Sequence, residues 1–119
     1  MTREEIETVG KEWQTLLGLN EWETVWKLSR KSEMDDVGQG QVKYNLCTKQ
    51  AIVKIMDEID WDNPDFTQDH EVVIVHELLH LKFSLLDKVK GEIFELIIHQ
   101  YIQELAKSFV LLKRQGDSL

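Results

Sequence analysis

Two histidines four residues apart, with a glutamate directly after the first, form the part of this sequence best suited to chemistry: His76-Glu77-Leu78-Leu79-His80. Residues four apart lie on one face of a helix, so His76 and His80 can bind the same metal ion. Glu77 lies one step round the helix, where it can accept a proton from a water molecule at the metal. The spacing therefore predicts a zinc-dependent hydrolase with Glu77 as its general base.

The residues around this motif are almost all apolar, from Val72 to Leu81. Two histidines and a glutamate are costly to bury in such a helix unless they have polar partners. A metal ion is the simplest partner, and a pair of hydrogen-bonded core histidines is the alternative. Imidazole ligands also suit copper, iron and nickel, so zinc is expected from the motif and not from the ligand type.

A catalytic zinc usually has three protein ligands and one open position. The helix after the motif offers two candidates for the third ligand. If a short connection near residue 89 makes the two helices antiparallel, equal rise along both places His99 level with the histidine pair. Glu95 lies one turn nearer the connection on the same face. We expect His99 to be the ligand and Glu95 to hydrogen-bond a ligand imidazole, and the reverse assignment stays open.

The secondary-structure elements expected around these residues indicate one α+β domain that spans residues 1–119. An amphipathic pattern indicates an N-terminal helix, and alternating patterns indicate a small antiparallel sheet of about three strands. An acidic loop and two long antiparallel helices follow. The predicted ranges are 3–17 for the first helix, 21–30, 42–46 and 51–56 for the strands, 57–69 for the loop, and 68–86 and 92–114 for the last helices. The core stripe of the last helix is expected at Ile93, Leu96, Ile97, Tyr101, Leu105, Ala106, Phe109 and Leu112.

The overall charge narrows the range of partners. The formal net charge is −8, which disfavours nucleic acids and anionic membranes as ligands, because phosphate binding needs a basic face. A single cysteine allows no internal disulfide, and no apolar segment resembles a signal peptide or a membrane span. These features predict a cytoplasmic protein that has neither nucleic acid nor a membrane as its partner. They leave its oligomeric state open.

Several other residue types are expected to be structural. The tryptophans at 13, 22, 26 and 61 should be packing anchors. Cys47 should be a small buried residue, and His70 a surface or capping residue outside the site. The carboxylates of residues 57–62 should form a solvated acidic loop.

At Val75-His76-Glu77-Leu78-Leu79-His80-Leu81 the chain resembles the active-site helix of the zincin metallopeptidases. The later segment from His99 to Ala106 looks like the ligand helix of small phage- and prophage-type metallopeptidases and of minimal gluzincin scaffolds. Those families place a glutamate where this chain has His99, and the SprT-like proteins resemble it with three histidines. The resemblance covers about residues 40–112 and is specific only at the motif.

The resemblance implies a minimal zincin-like peptidase that holds zinc through His76, His80 and His99. It also implies that an edge strand before the motif helix, 42–46 or 51–56, receives an extended substrate by strand addition. Tyr44 and Tyr101 are possible oxyanion donors, although neither is assigned. The alternatives are a non-catalytic, zincin-like binding or regulatory module with a structural or vestigial metal site, and a hydrolase of another bond.

Overall fold

The computed structural model describes residues 1–35, 38–84 and 91–117 of the chain. It confirms the predicted α+β architecture of an N-terminal helix, a three-stranded sheet and two later helices. In chain order the elements are α1 (Arg3–Leu16), β1 (Glu23–Ser29), β2 (Gly40–Asn45), β3 (Gln50–Met56), α2 (His70–Lys82) and α3 (Glu92–Asp117). Among the described residues, no helix combines the length and apolarity needed to cross a membrane.

The first helix begins at a capping box. The Thr2 side chain accepts the Glu5 backbone N–H, and the Glu5 carboxylate accepts the Thr2 N–H in return. This exchange pairs two N–H groups that a helix start otherwise leaves unpaired. Gly18 follows the helix with a φ of 70°, a conformation that glycine adopts at little cost.

The sheet is mixed, so the prediction of an antiparallel sheet is wrong for one of its two pairings. The strand order is β1-β3-β2, with β3 parallel to β1 and antiparallel to β2. A tight turn joins β2 to β3 and includes Lys49 at a φ of 54°. The chain from β1 to β3 passes through β2 and is long enough for a parallel crossover. The alternation of apolar and polar residues does not reveal strand direction, because side chains alternate with a period of two in parallel and antiparallel strands alike.

One face of the sheet packs against the helices. Trp26 is 2% exposed, and Val53 and Ile55 are fully buried beside it. They meet the apolar residues of α2, of which Ile74 and Leu78 are also fully buried. The core therefore lies between the sheet and α2, and α2 is held at the centre of the domain.

The helix α3 buries a different face from the one predicted. Its buried residues are Ile102, Ala106 and Val110, with Ile98 and Phe109 partly buried. Of the predicted stripe, only Ala106 and Phe109 pack into the core, and the exposed members are Ile93, Leu96, Ile97, Tyr101, Leu105 and Leu112. The helix carries apolar residues on several faces, so periodicity did not determine which face meets α2.

The predictions for Cys47 and Trp61, which lie outside the site, need correction. Cys47 is exposed, because it lies in the turn between β2 and β3. Trp13, Trp22 and Trp26 are buried anchors, but Trp61 is only partly buried and donates its indole N–H to the Phe66 carbonyl oxygen.

The acidic loop is partly ordered by its own carboxylates. Asp60 accepts two hydrogen bonds from the Arg30 guanidinium and one from the Lys31 N–H. The Arg30 contact, with help from Lys31, lowers the pKa of Asp60 to about 2. Asp57 caps a short 3-10 turn at Glu58–Asp60. Of the predicted connection at residues 88–91, residues 88–90 lie outside the described residues.

A glycine in α1 gives a stability prediction. A Cβ on Gly10 would lie 2.5–2.6 Å from three ring atoms of Trp26. We expect Gly10→Ala to lower the free energy of unfolding by about 1–3 kcal/mol through overpacking, although alanine favours a helix by about 1 kcal/mol. Urea denaturation would measure the change. Gly116→Ala is the matched control, because no atom of the described residues lies within 4 Å of its added methyl group. A Gly10→Ala protein as stable as the control would contradict this packing.

The buried His70 gives a second prediction. His70 is 6% exposed and donates its Nε2–H to the Met56 carbonyl oxygen at 3.0 Å, contrary to the expected surface position. Burial holds the pKa of His70 below its ordinary value. The unfolded chain therefore binds this proton more readily. Stability should be complete above about pH 6.5 and should fall as the pH drops toward the lowered pKa, with a limiting slope of about 1.4 kcal/mol for each pH unit.

Urea titrations of the metal-free protein between pH 8 and pH 5 would measure this dependence. We expect His70→Gln, which cannot gain the proton, to depend less steeply on pH than the wild type. The same dependence in both proteins would rule out His70 as a source of acid sensitivity.

Candidate metal centre

The motif helix is fixed at its N-terminal end by polar contacts. Asp69 caps α2 by accepting the Val72 N–H. Glu71 is 8% exposed and accepts the Trp13 indole N–H at 2.7 Å. These contacts hold the start of α2 against α1 and fix which of its sides carries the motif residues.

Charged contacts also set the position of α3 beside α2. Arg114, near the end of α3, donates two hydrogen bonds to Asp69 and one to Glu71. Gln103, earlier in α3, contacts His76, later in α2. The two helices therefore run antiparallel, as predicted. Burial raises the pKa of Asp69, but the hydrogen bonds from Arg114 and the Val72 N–H outweigh it and leave the pKa lowered.

This packing brings three histidines together. The Nε2 atoms of His76 and His80 lie 3.1 Å apart, and His99 from α3 completes the group. One ligand nitrogen from each of the three lies within 4.8 Å of the other two. The ring centroid of His76 is 4.9 Å from those of both His80 and His99.

The spacing fits a tetrahedral zinc ion. Zinc–nitrogen bonds of about 2.0–2.1 Å at tetrahedral angles need ligand nitrogens roughly 3.3–3.4 Å apart. The His76–His80 distance is already close to this value, and the His99 nitrogen lies within 4.8 Å of both. Three imidazoles on two packed helices leave the cleft side of the group open for a fourth ligand. The residues present therefore suit zinc.

His76 is oriented by a hydrogen bond from its other ring nitrogen. Its Nδ1 lies 2.5 Å from the Oε1 atom of Gln103. An amide oxygen can only accept, so His76 carries its proton on Nδ1, and its Nε2 lone pair faces the other histidines. Burial lowers the pKa of His76 and the nearby His99 lowers it further, whereas the Gln103 contact raises it. The net shift favours the neutral imidazole, which is the form that binds a metal.

Glu77 lies beside this group in a confined position. It is 6% exposed and faces the start of β2, where Gly40 lies. A Cβ on Gly40 would be 2.7 Å from Val73 Cγ1 and 3.0 Å from both Cγ and Oε2 of Glu77. The absence of a side chain at position 40 therefore lets the strand approach the carboxylate closely.

The other candidates from the sequence lie apart from the group. Glu95 is exposed and does not join the histidines in any metal-binding group found among the described residues. We expected Glu95 to hydrogen-bond a ligand imidazole, but the observed contact of this kind is between Gln103 and His76. Tyr101 is exposed, while Tyr44 borders the cleft beside the site.

An open cleft of about 1180 Å³ leads to the three histidines. One wall is the beginning of β2 with the preceding residues, and the opposite wall is the face of α3 that carries His99, Gln103 and Lys107. Trp61 and Phe66, from the acidic loop, also border the cleft. The cleft is long enough for an extended chain of several residues, since the helix alone rises about 12 Å from residue 99 to residue 107.

Comparison of this chain with protein-family models, curated proteins and solved structures finds no match. The site is therefore argued from its own residues. Two of them, Gln103 and Gly40, were not selected from the sequence. Gln103 had a usable signal, because it follows His99 by four residues and lies on the same helix face. Gly40 had none, because its role depends on how β2 packs against α2.

Proposed function

We propose that this chain is a zinc-dependent metallopeptidase that hydrolyses peptide bonds, with His76, His80 and His99 as the metal ligands. The observation that carries the proposal is the joint placement of three imidazoles and one buried carboxylate, Glu77, at an open cleft. A purely structural zinc site needs no carboxylate next to it and no cleft. The three histidines alone would suit either kind of site.

A zinc ion held by these three histidines would polarise the scissile carbonyl group as a Lewis acid and would lower the pKa of a water molecule to about 7. The protein's own groups handle the proton. Glu77 accepts it from the attacking water and later gives it to the leaving amine. His76 stays neutral and correctly turned because Gln103 accepts its Nδ1–H. The close approach of Gly40 limits the space around the carboxylate.

The substrate is an extended peptide that pairs with β2. The central strand β3 has neighbours on both sides, so only the outer strands of the sheet can accept another strand. Of these, β2 borders the cleft with Gly40, Gln41, Val42 and Tyr44. Pairing with β2 would bind the peptide backbone with little dependence on side chains. We place the activity in the cytoplasm, where a single free cysteine such as Cys47 is common.

The proposal is tested by incubating the zinc-loaded protein with a mixed peptide library and identifying the products by mass spectrometry. Cleavage should stop when the zinc is removed with a chelator and return when zinc is added back. Stable zinc binding without cleavage of any peptide would contradict the peptidase and favour the alternative, a zincin-like binding or regulatory module.

A further inference from the structure

The oxygen and the nitrogen of the Gln103 side-chain amide have different surroundings. Its Oε1 accepts the Nδ1–H of His76. Its Nε2 carries two N–H donors, and no hydrogen bond from them to another described residue is observed. Gln103 is only partly buried and borders the cleft. A fixed oxygen also fixes the nitrogen, because the amide group is planar.

The opposite wall of the cleft defines what these donors can reach. That wall is β2, whose outer edge can pair with the backbone of a bound peptide. A peptide paired on one edge points its remaining main-chain carbonyl groups away from β2, toward α3. The nearest donor on α3 beside the metal-binding group is the Gln103 amide, one helical turn after His99.

We infer that Gln103 binds the substrate directly, by donating its Nε2–H to a main-chain carbonyl oxygen of the peptide while its Oε1 holds His76. This role rests on the proposed peptidase function and identifies the ligand as an extended main chain instead of a particular side chain. Gln103 thereby orients the metal ligand His76 and positions the substrate with the same amide group. A carboxylate at this position could orient His76 equally well, but it could not donate.

Two substitutions separate the roles of the amide. Gln103→Glu keeps an oxygen that accepts the His76 proton and removes both N–H donors. Gln103→Met has a similar length and removes both functions. Gln100→Glu is the matched control, because it makes the same charge change on an exposed residue of α3.

Two measurements that need no turnover test the inference. The first is the zinc dissociation constant, obtained by competition with a chelator. The second is the affinity of the zinc-loaded protein for acetyl-alanyl-alanine hydroxamate relative to acetohydroxamate. Both probes anchor on the metal, but only the peptide hydroxamate has additional main-chain carbonyl groups. The ratio of their affinities therefore reports the main-chain contacts.

We expect Gln103→Glu to bind zinc at least as tightly as the wild type. Its affinity for the peptide hydroxamate relative to acetohydroxamate should fall about 10-fold, which corresponds to the loss of one hydrogen bond of about 1.4 kcal/mol. Gln103→Met should lose the same advantage and bind zinc about 10–100-fold more weakly. Gln100→Glu should change neither quantity. An unchanged advantage in Gln103→Glu would overturn the inference.

The inference and the proposed function can fail separately. If the probe ratios follow the expected pattern but no library peptide is cleaved, Gln103 binds main chain in a protein that is not a peptidase. If peptides are cleaved and Gln103→Glu keeps the full probe advantage, the peptidase stands and the substrate role of Gln103 is wrong.

Discussion

Replacing Glu77 with glutamine is expected to reduce the turnover of peptide by about 10²–10⁴-fold, the usual contribution of a general base. The amide has the same shape as the carboxylate and fits the space against Gly40, but it cannot accept the proton of the attacking water. Zinc affinity should remain unchanged, because none of the three ligand nitrogens is altered. Turnover number and zinc dissociation constant would be measured on the same preparation.

The matched control for this change is Glu95→Gln. Glu95 is also a helical glutamate, but it is exposed and lies outside the histidine group. It should keep full turnover. If Glu77→Gln cleaves peptides as fast as the wild type, Glu77 is not the general base, and the mechanism proposed for this cleft is wrong.

Removing the imidazole of His99 should produce the second large effect. We expect His99→Ala to weaken zinc binding by more than 100-fold, beyond the roughly 10–100-fold that loss of an outer hydrogen-bond partner costs. A site left with His76 and His80 alone has too few protein ligands for a stable zinc centre. Chelator competition would give the dissociation constants.

Glu95→Ala is the informative comparison, because Glu95 was the other candidate for the third ligand. It should bind zinc as the wild type does. Loss of zinc in Glu95→Ala with retention in His99→Ala would contradict the three-histidine site and restore two histidines and a glutamate.

The histidine group is the part of the structure that could be predicted best. The positions of His76 and His80 follow from helix geometry alone, since four residues make about one turn. The position of His99 required only an antiparallel partner helix and equal rise along both. The spacing within α2 holds in most surroundings, because it depends on backbone hydrogen bonds. The approach of His99 depends in addition on the packing of α3 against α2.

Features that depend on long-range packing could not be predicted. The parallel pairing of β1 with β3 does not change the alternation of apolar and polar residues in either strand. The rotation of α3 buries Ile102 and exposes Ile97, although both are equally apolar. Contacts between Arg114 and the start of α2 fix the relative placement of the two helices at one end. Sequence periodicity shows that a helix has apolar faces but does not show which face meets its neighbour.

The same limitation applies to the contacts that support the site. Gly40 comes from a polar, glycine-containing segment that resembles an ordinary loop, and its contact with Glu77 arises only when β2 packs on α2. Gln103 is only partly an exception, because it follows His99 by four residues and so lies on the same helix face. That spacing places Gln103 near the histidine group, but the contact of its amide with His76 depends on how α3 packs against α2.

X-ray absorption of the wild-type protein loaded with one equivalent of zinc tests the proposed metal centre most directly. We predict one tightly bound zinc per chain, with three imidazole nitrogens and one oxygen ligand at about 2.0–2.1 Å. A protein that binds no zinc, or a zinc ion with fewer than three imidazoles, would contradict a metal centre built from His76, His80 and His99.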